Sequence, residues 1–88
     1  MPSYIFSEHA LEQLQRRNIP LFWVYRVLQK PEQIVSQGDS MIKIYQSKIL
    51  QGDGKLALLR VIVSEKSMKP LVLTAYVTSK VEKYWRKV

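Results

Sequence analysis

Residues 69–87 read Lys69-Pro70-Leu71-Val72-Leu73-Thr74-Ala75-Tyr76-Val77-Thr78-Ser79-Lys80-Val81-Glu82-Lys83-Tyr84-Trp85-Arg86-Lys87, and the reading of this stretch decides the fold. From Leu71 to Thr78 its character repeats every two residues. Leu71, Leu73, Ala75 and Val77 fall on one side, and Val72, Thr74, Tyr76 and Thr78 on the other. A strand with one apolar face needs a sheet and a covering layer. The other face carries hydroxyls rather than acids, which makes it the candidate working surface. The strand reads as the centre of an antiparallel sheet. It runs into a short basic aromatic segment, Lys80 to Trp85, that reads as helical.

Working back from there, Glu65 to Lys69 reads as a polar turn. Leu56 to Ser64 reads as a strand with Ala57, Leu59, Val61 and Val63 against Leu58, Arg60 and Ile62. Gln51-Gly52-Asp53-Gly54-Lys55 has the composition of a hairpin turn. Met41 to Ile49 alternates again, with Ile42 and Ile44 on one side and Lys43, Tyr45 and Ser47 on the other. Gly38-Asp39-Ser40 reads as a turn, and Glu32 to Gln37 as one more strand. Turns this short favour an antiparallel meander.

Ahead of Pro31 the period becomes helical. Leu21 to Lys30 starts after Pro20, whose missing N–H costs nothing in a first turn, and stops before Pro31. Leu21, Val24, Val27 and Leu28 make its core face. A first helix runs from Glu8 to Arg17, with Ser7 as N-cap, Ala10, Leu11 and Leu14 as its apolar stripe and Asn18 as a left-handed C-cap. Tyr4-Ile5-Phe6 is a short β-prone run. The expectation is a single α+β domain over residues 1–88. It has a short N-terminal strand, two helices covering the apolar face of an antiparallel sheet of about four strands, and a short C-terminal helix.

Composition narrows the function. The 88 residues carry 14 Lys and Arg against 7 Asp and Glu, a net charge of +7, which favours an anionic partner. With no Cys and one His, a transition-metal site is disfavoured. The acids are scattered, no glycine-rich phosphate loop precedes a helix, and no Ser-His-acid set is recognisable. No apolar run approaches the ~20 residues that span a bilayer. The N-terminus lacks the pattern of a signal peptide. A cytoplasmic protein without a cofactor is expected.

What remains is the open sheet face. The strand reading places Lys43, Tyr45, Arg60, Thr74 and Tyr76 on one side of three adjacent strands. Cations and phenols there suit a phosphodiester and a stacked base. Arg60 interrupts an otherwise apolar strand, where a charge is costly unless the face is wet or paired. A solvated residue or a salt bridge to Glu65 or Glu82 is the alternative. Strand packing alone accounts equally for Tyr45 and Tyr76. Leu58, Ile62 and Val72 share that face, covered either by the C-terminal helix or by a partner.

His9 is the one side chain expected to titrate near neutral pH. With Gln13 and Arg17 on the same helix side it fits a proton carrier beside a phosphate-binding Arg, or a helix-start histidine bonded to the backbone. Phe22, Trp23 and Tyr25 are core filler or an interface. Lys80, Lys83, Tyr84, Trp85, Arg86 and Lys87 either bind RNA or pack back on the sheet.

Three sets of residues, Ser7-x-His9-Ala10, Arg17-Asn18-Ile19 and Val27-Leu28-x-x-Pro31-Glu32, stand near the start. Leu73-Thr74-Ala75-Tyr76-x-Thr78-Ser79-Lys80-x-x-Lys83-Tyr84-Trp85 closes the chain. Together they resemble a family of small bacterial proteins of uncharacterised function placed near the BrnT and RelE/ParE toxins. The resemblance implies a RelE-like, microbial-ribonuclease fold. It also implies a metal-independent ribonuclease acting on mRNA, free or ribosome-bound, as the toxin of a type II toxin–antitoxin pair held by an acidic antitoxin. Carried over by position, His9 and Arg17 match the family's recurring His and Arg. Thr74, Tyr76 and Lys80 match its closing motif, and Arg60 lies on the strand where RelE-type toxins place a phosphate-binding Arg.

Catalysis is then expected at Arg60, Tyr76 and His9, and RNA binding at Lys43, Tyr45, Arg17, Thr74, Lys80 and Lys83. Gln13 stands where members often carry a second Arg, and Asn18 where Gly is usual. Leu21, Phe22 and Trp23 replace an acidic first turn. That aromatic turn, with the open-face Leu58 and Ile62, is the expected partner-binding surface or a homodimer contact. The rival reading is a non-enzymatic module, either a partner-binding or gyrase-binding toxin-like protein or a plain nucleic-acid binder.

Overall fold

The computed structural model describes residues 4–87. In chain order the elements are β1 (Ile5–Phe6), α1 (Glu8–Arg16), α2 (Leu21–Gln29), β2 (Gln33–Gln37), β3 (Asp39–Leu50), β4 (Leu56–Ser64), β5 (Leu71–Thr78) and α3 (Val81–Tyr84). They form an α+β fold with one five-stranded sheet in the order β1-β5-β4-β3-β2.

Local chemistry sets the helix ends. Ser7 is extended at the N-cap of α1, and its Oγ accepts from the Ala10 N–H at 3.0 Å. Asn18 turns the chain with φ 55°, the left-handed geometry that a short polar side chain tolerates. Gly54 makes the β3–β4 hairpin possible. At φ 82° it donates its N–H to the Gln51 carbonyl, while Gln51 N–H bonds Lys55 O.

β2, β3, β4 and β5 pair antiparallel, and β1 lies parallel beside β5, so the sheet is mixed. β4, rather than β5, is central, because β1 takes the place outside β5. β1 covers β5 only at Leu71 and Val72. Beyond it, Arg17 closes the edge by donating through Nη1 to the Ala75 carbonyl at 2.7 Å and to Thr74 Oγ1 at 3.4 Å.

α1 and α2 lie on one face. Ala10 and Leu14 of α1, Ile19, and Val24, Val27 and Leu28 of α2 pack against Tyr45, Leu59, Val61, Val63, Val72 and Ala75. Each fully buried aliphatic side chain contributes about 1.5–3 kcal/mol. Val72 belongs to this core and not to the opposite face where strict alternation puts it. A bulge explains the difference: Ile62 pairs with Thr74 but Val63 with Val72, so Leu73 is the extra residue. No helix among the described residues is long and apolar enough to cross a membrane.

Candidate functional site

The opposite face is covered, and a polar row crosses its apolar residues Val35, Ile44 and Leu58. The five-residue turn sets Leu50 against Leu56, and the ladder then brings Gln46 opposite Arg60. Gln33 stands beside Gln46, and Tyr76 beside Arg60. Four strands thus contribute one polar rung, Gln33–Gln46–Arg60–Tyr76.

The rung is hydrogen-bonded throughout. Arg60 Nε donates to Gln46 Oε1 at 2.9 Å, and Arg60 Nη1 to the Tyr76 hydroxyl at 2.7 Å. With its oxygen committed to Arg60, the Gln46 amide donates through Nε2 to Gln33 Oε1 (2.8 Å) and to the Tyr84 carbonyl (3.1 Å). Gln33 then grips the backbone of Arg86 from both sides. Its Oε1 accepts from Arg86 N at 3.1 Å and its Nε2 donates to Arg86 O at 2.6 Å. These bonds hold the C-terminal segment across the face.

Tyr84 lies over the guanidinium, with Arg60 Cζ 4.2 Å from its ring centroid. Lys83 Nζ stands 5.3 Å from the same ring. Beside it, the Lys48 ammonium sits 4.1 Å from the Trp85 centroid.

Arg60 is only 5% exposed and Gln46 is fully buried. Burial of an ion costs several kcal/mol unless it is paired and hydrogen-bonded. Here the compensation is neutral: an amide, a phenol and an aromatic face. The ion pair among the described residues joins Lys66 to Asp39 at 3.2 Å, so neither Glu65 nor Glu82 serves Arg60. No buried side-chain nitrogen among the described residues lacks a partner. Nε and Nη1 are occupied, which leaves Nη2 as the guanidinium edge in contact with solvent. That edge meets a cavity of about 560 Å³ whose charged lining is Arg60, Lys83, Arg86 and Lys87, with Ile44 and Val35 as apolar wall. Among the described residues four cations and no carboxylate face this space, an arrangement suited to an anion.

The expected site residues separate into groups. Arg60 and Tyr76 come together, and Lys83 joins them at the rim. Lys43 and Tyr45 do not: they pair with Val63 and Val61, so both project from the helix-covered face. There Lys43 donates to Ser36 Oγ at 3.0 Å. Tyr45 lies in the core edge-on to Tyr4, and burial, followed by the neighbouring Tyr4 and Glu65, pushes its hydroxyl up to about 12. The alternation inside β3 was read correctly from the sequence; the parity between β3 and β4 was not.

His9 is exposed on α1, on the far side of the sheet from the rung. Arg17 and Thr74 are spent on each other and on the β5 edge. Lys80 is exposed and lines a neighbouring cavity. Leu58 is fully buried, which removes it from any docking surface, while Ile62 is half-buried. Phe22 is exposed, but Trp23 packs against the helix-side core. Gln46 and Gln33 escaped the sequence reading. The hairpin turn was the signal for Gln46, because a turn over residues 51–55 fixes which side chain neighbours Arg60. Among the described residues no three His, Asp or Glu side chains are placed to hold a metal ion.

Residues 6–77 match the family model described as a domain of unknown function, DUF4258, and the chain belongs to that family. The match includes the whole polar rung and ends before the cationic segment laid over it. No curated protein and no solved structure matches the chain.

Proposed function

We propose that this DUF4258 member is an RNA-cutting toxin of RelE-like fold, working without a metal and restrained by an acidic antitoxin. The observation that carries the reading is Arg60: a buried guanidinium with no carboxylate partner among the described residues, lining a cavity whose other charged lining residues, Lys83, Arg86 and Lys87, are all positive. A phosphodiester placed there replaces the missing counter-charge, and as charge grows on its oxygens in the transition state the same cations hold it more strongly. The ribose 2′-oxygen attacks phosphorus in line, its proton leaves to water, and the bond to the 5′-oxygen breaks. The leaving 5′-oxygen takes a proton from solvent, and Tyr76, which accepts from Arg60 Nη1, holds the guanidinium in position. The antitoxin's place is the groove beside Trp23, Val27 and Ile49, rimmed by Arg26, Lys30 and Lys48, with exposed Phe22 nearby.

A second reading, an RNA-binding module without turnover, is favoured by one observation. The chain's single histidine lies across the sheet, away from the side chains that line the Arg60 cavity. The test is cleavage of free and ribosome-bound RNA by the native chain and by Arg60→Met. The toxin reading expects cleavage that falls about 10²–10³-fold in Arg60→Met, with the fold intact by circular dichroism. Binding that weakens steeply with salt, depends on Arg60 and never leads to cleavage gives the second reading instead. Native protein that neither cuts nor binds RNA defeats both.

A further inference from the structure

A second cavity, of about 660 Å³, lies along the other side of the same C-terminal segment. Lys83, Trp85 and Lys87 line both spaces and form the ridge between them. The two differ in character. The Arg60 cavity is lined mainly by charged side chains; the second has Leu56, Val81 and Trp85 as its apolar lining and a rim of Lys48, Lys80, Lys83 and Lys87 that also carries one carboxylate, Glu82. Leu56 is half exposed although it is a β-strand leucine, and Trp85 is only half-buried. An anion alone has no use for such a floor. A ligand joining an anionic group to a flat apolar one fills both cavities across the ridge.

We infer that the second cavity is a nucleobase subsite, with the base stacked against Trp85 while its neighbouring phosphate lies toward Arg60. The nucleic acid taken is therefore single-stranded. This rests on the RNA reading above and narrows it. Lys48 supplies the geometry. Its exposed ammonium stands 4.1 Å from the Trp85 centroid, over the ring, at the height a stacked group takes. The lysine stem is flexible, so an incoming base displaces the ammonium from the ring and frees it to meet a phosphate. A base inside a duplex has both faces stacked and its edge paired, and has nothing to insert. Cations alone do not discriminate in this way, because they bind either form of nucleic acid.

The test uses the full chain with the Trp23→Phe change, which leaves Trp85 as the single tryptophan. Its fluorescence is followed on titration with a short 2′-O-methyl oligouridylate, which resists cleavage, with an abasic phosphodiester of the same length and with a duplex. Quenching by the oligouridylate and none by the abasic chain is expected. In the otherwise native chain, Trp85→Ala is expected to weaken oligouridylate binding about 5- to 150-fold and to leave the abasic chain's affinity unchanged. Trp85→Phe, which keeps a flat ring, retains most of the affinity. This second series does not depend on the Trp23 variant folding.

Equal quenching by the abasic chain, or an unchanged preference for single strand over duplex in Trp85→Ala, overturns the base subsite. If Arg60-dependent cleavage persists alongside that result, the toxin reading survives and only the subsite falls. If Trp85 is quenched as expected while Arg60→Met changes neither binding nor cleavage, the subsite stands and the Arg60 reading falls.

Discussion

On one face of the sheet Tyr45 is buried among Leu59, Val61 and the helices; on the other Tyr76 takes a hydrogen bond from a buried guanidinium. Both faces are covered, and both exclude most water from the strands. The helix side does it with apolar contacts, so the Tyr45 phenol resists ionisation, pushed up to about 12 mainly by burial. The segment side does it with hydrogen bonds from Gln33 and Gln46 to the backbone of Arg86 and Tyr84, and keeps a positive charge with no counterion among the described residues. Burial by itself therefore says little about purpose. What distinguishes the two sides is whether the buried charge or dipole is already neutralised by the protein or left for something else to neutralise.

The difference is open to attack from the helix side first. Leu59→Ala empties a fully buried site in the helix-side cluster and is expected to cost about 2–5 kcal/mol in urea unfolding. The affinity of the folded fraction for RNA should stay as it was. A loss of affinity in proportion to stability means the two faces do not work separately.

Alkaline titration sharpens the same point. Below pH ~10 Tyr45 is protonated whether folded or unfolded and contributes no pH dependence. Between pH 10 and about 12 the unfolded chain gives up this proton and the folded chain keeps it, so stability falls as pH rises, by roughly 2 kcal/mol in all. Thermal melts of the native chain and Tyr45→Phe across that range should diverge by this amount.

The smallest effect falls on the segment side. Gln33→Ala removes the two-way grip on Arg86 and one bond to Gln46, at an expected cost of about 1 kcal/mol. Hydrogen exchange should register it as faster exchange of the Arg86 amide with little change in the helix-side strands. Uniform acceleration through the sheet would mean that the segment is integral to the core.

Much of this was legible in advance, and the failures have specific causes. Ser7, Asn18, Pro31 and Gly54 carry their backbone roles in their residue type, a capping hydroxyl, a short amide, a ring or the lack of a Cβ, so the element boundaries followed from chemistry. Alternation within each strand is a local property and was also readable. The relation between strands is not local. Lys43 and Tyr45 were grouped with Arg60 because they alternate correctly inside β3, whereas the turn that sets Leu50 against Leu56 puts Gln46 there instead. The bulge at Leu73 has no glycine or proline to announce it. It follows from Val72 being drawn to Val63 in the helix-side core while Tyr76 stays with Arg60. A glutamine in a strand reads as surface polarity until its partners are known, which is why Gln33 and Gln46 passed unnoticed. His9 stood out by residue type, and only the layer arrangement separates it from Arg60.

The parallel pairing of β1 with β5 has a consequence for how the chain comes together. Ile5 finds Leu71 and Ser7 finds Val72 and Leu73 only after nearly the whole polypeptide lies between them, whereas the β3–β4 hairpin closes across a turn of a few residues. Short loops close at small entropic cost and long ones wait. During synthesis the first helix leaves the ribosome before its docking strand exists. Its apolar stripe, Ala10 and Leu14, stays without its final neighbours Val72 and Ala75 until translation has passed residue 75.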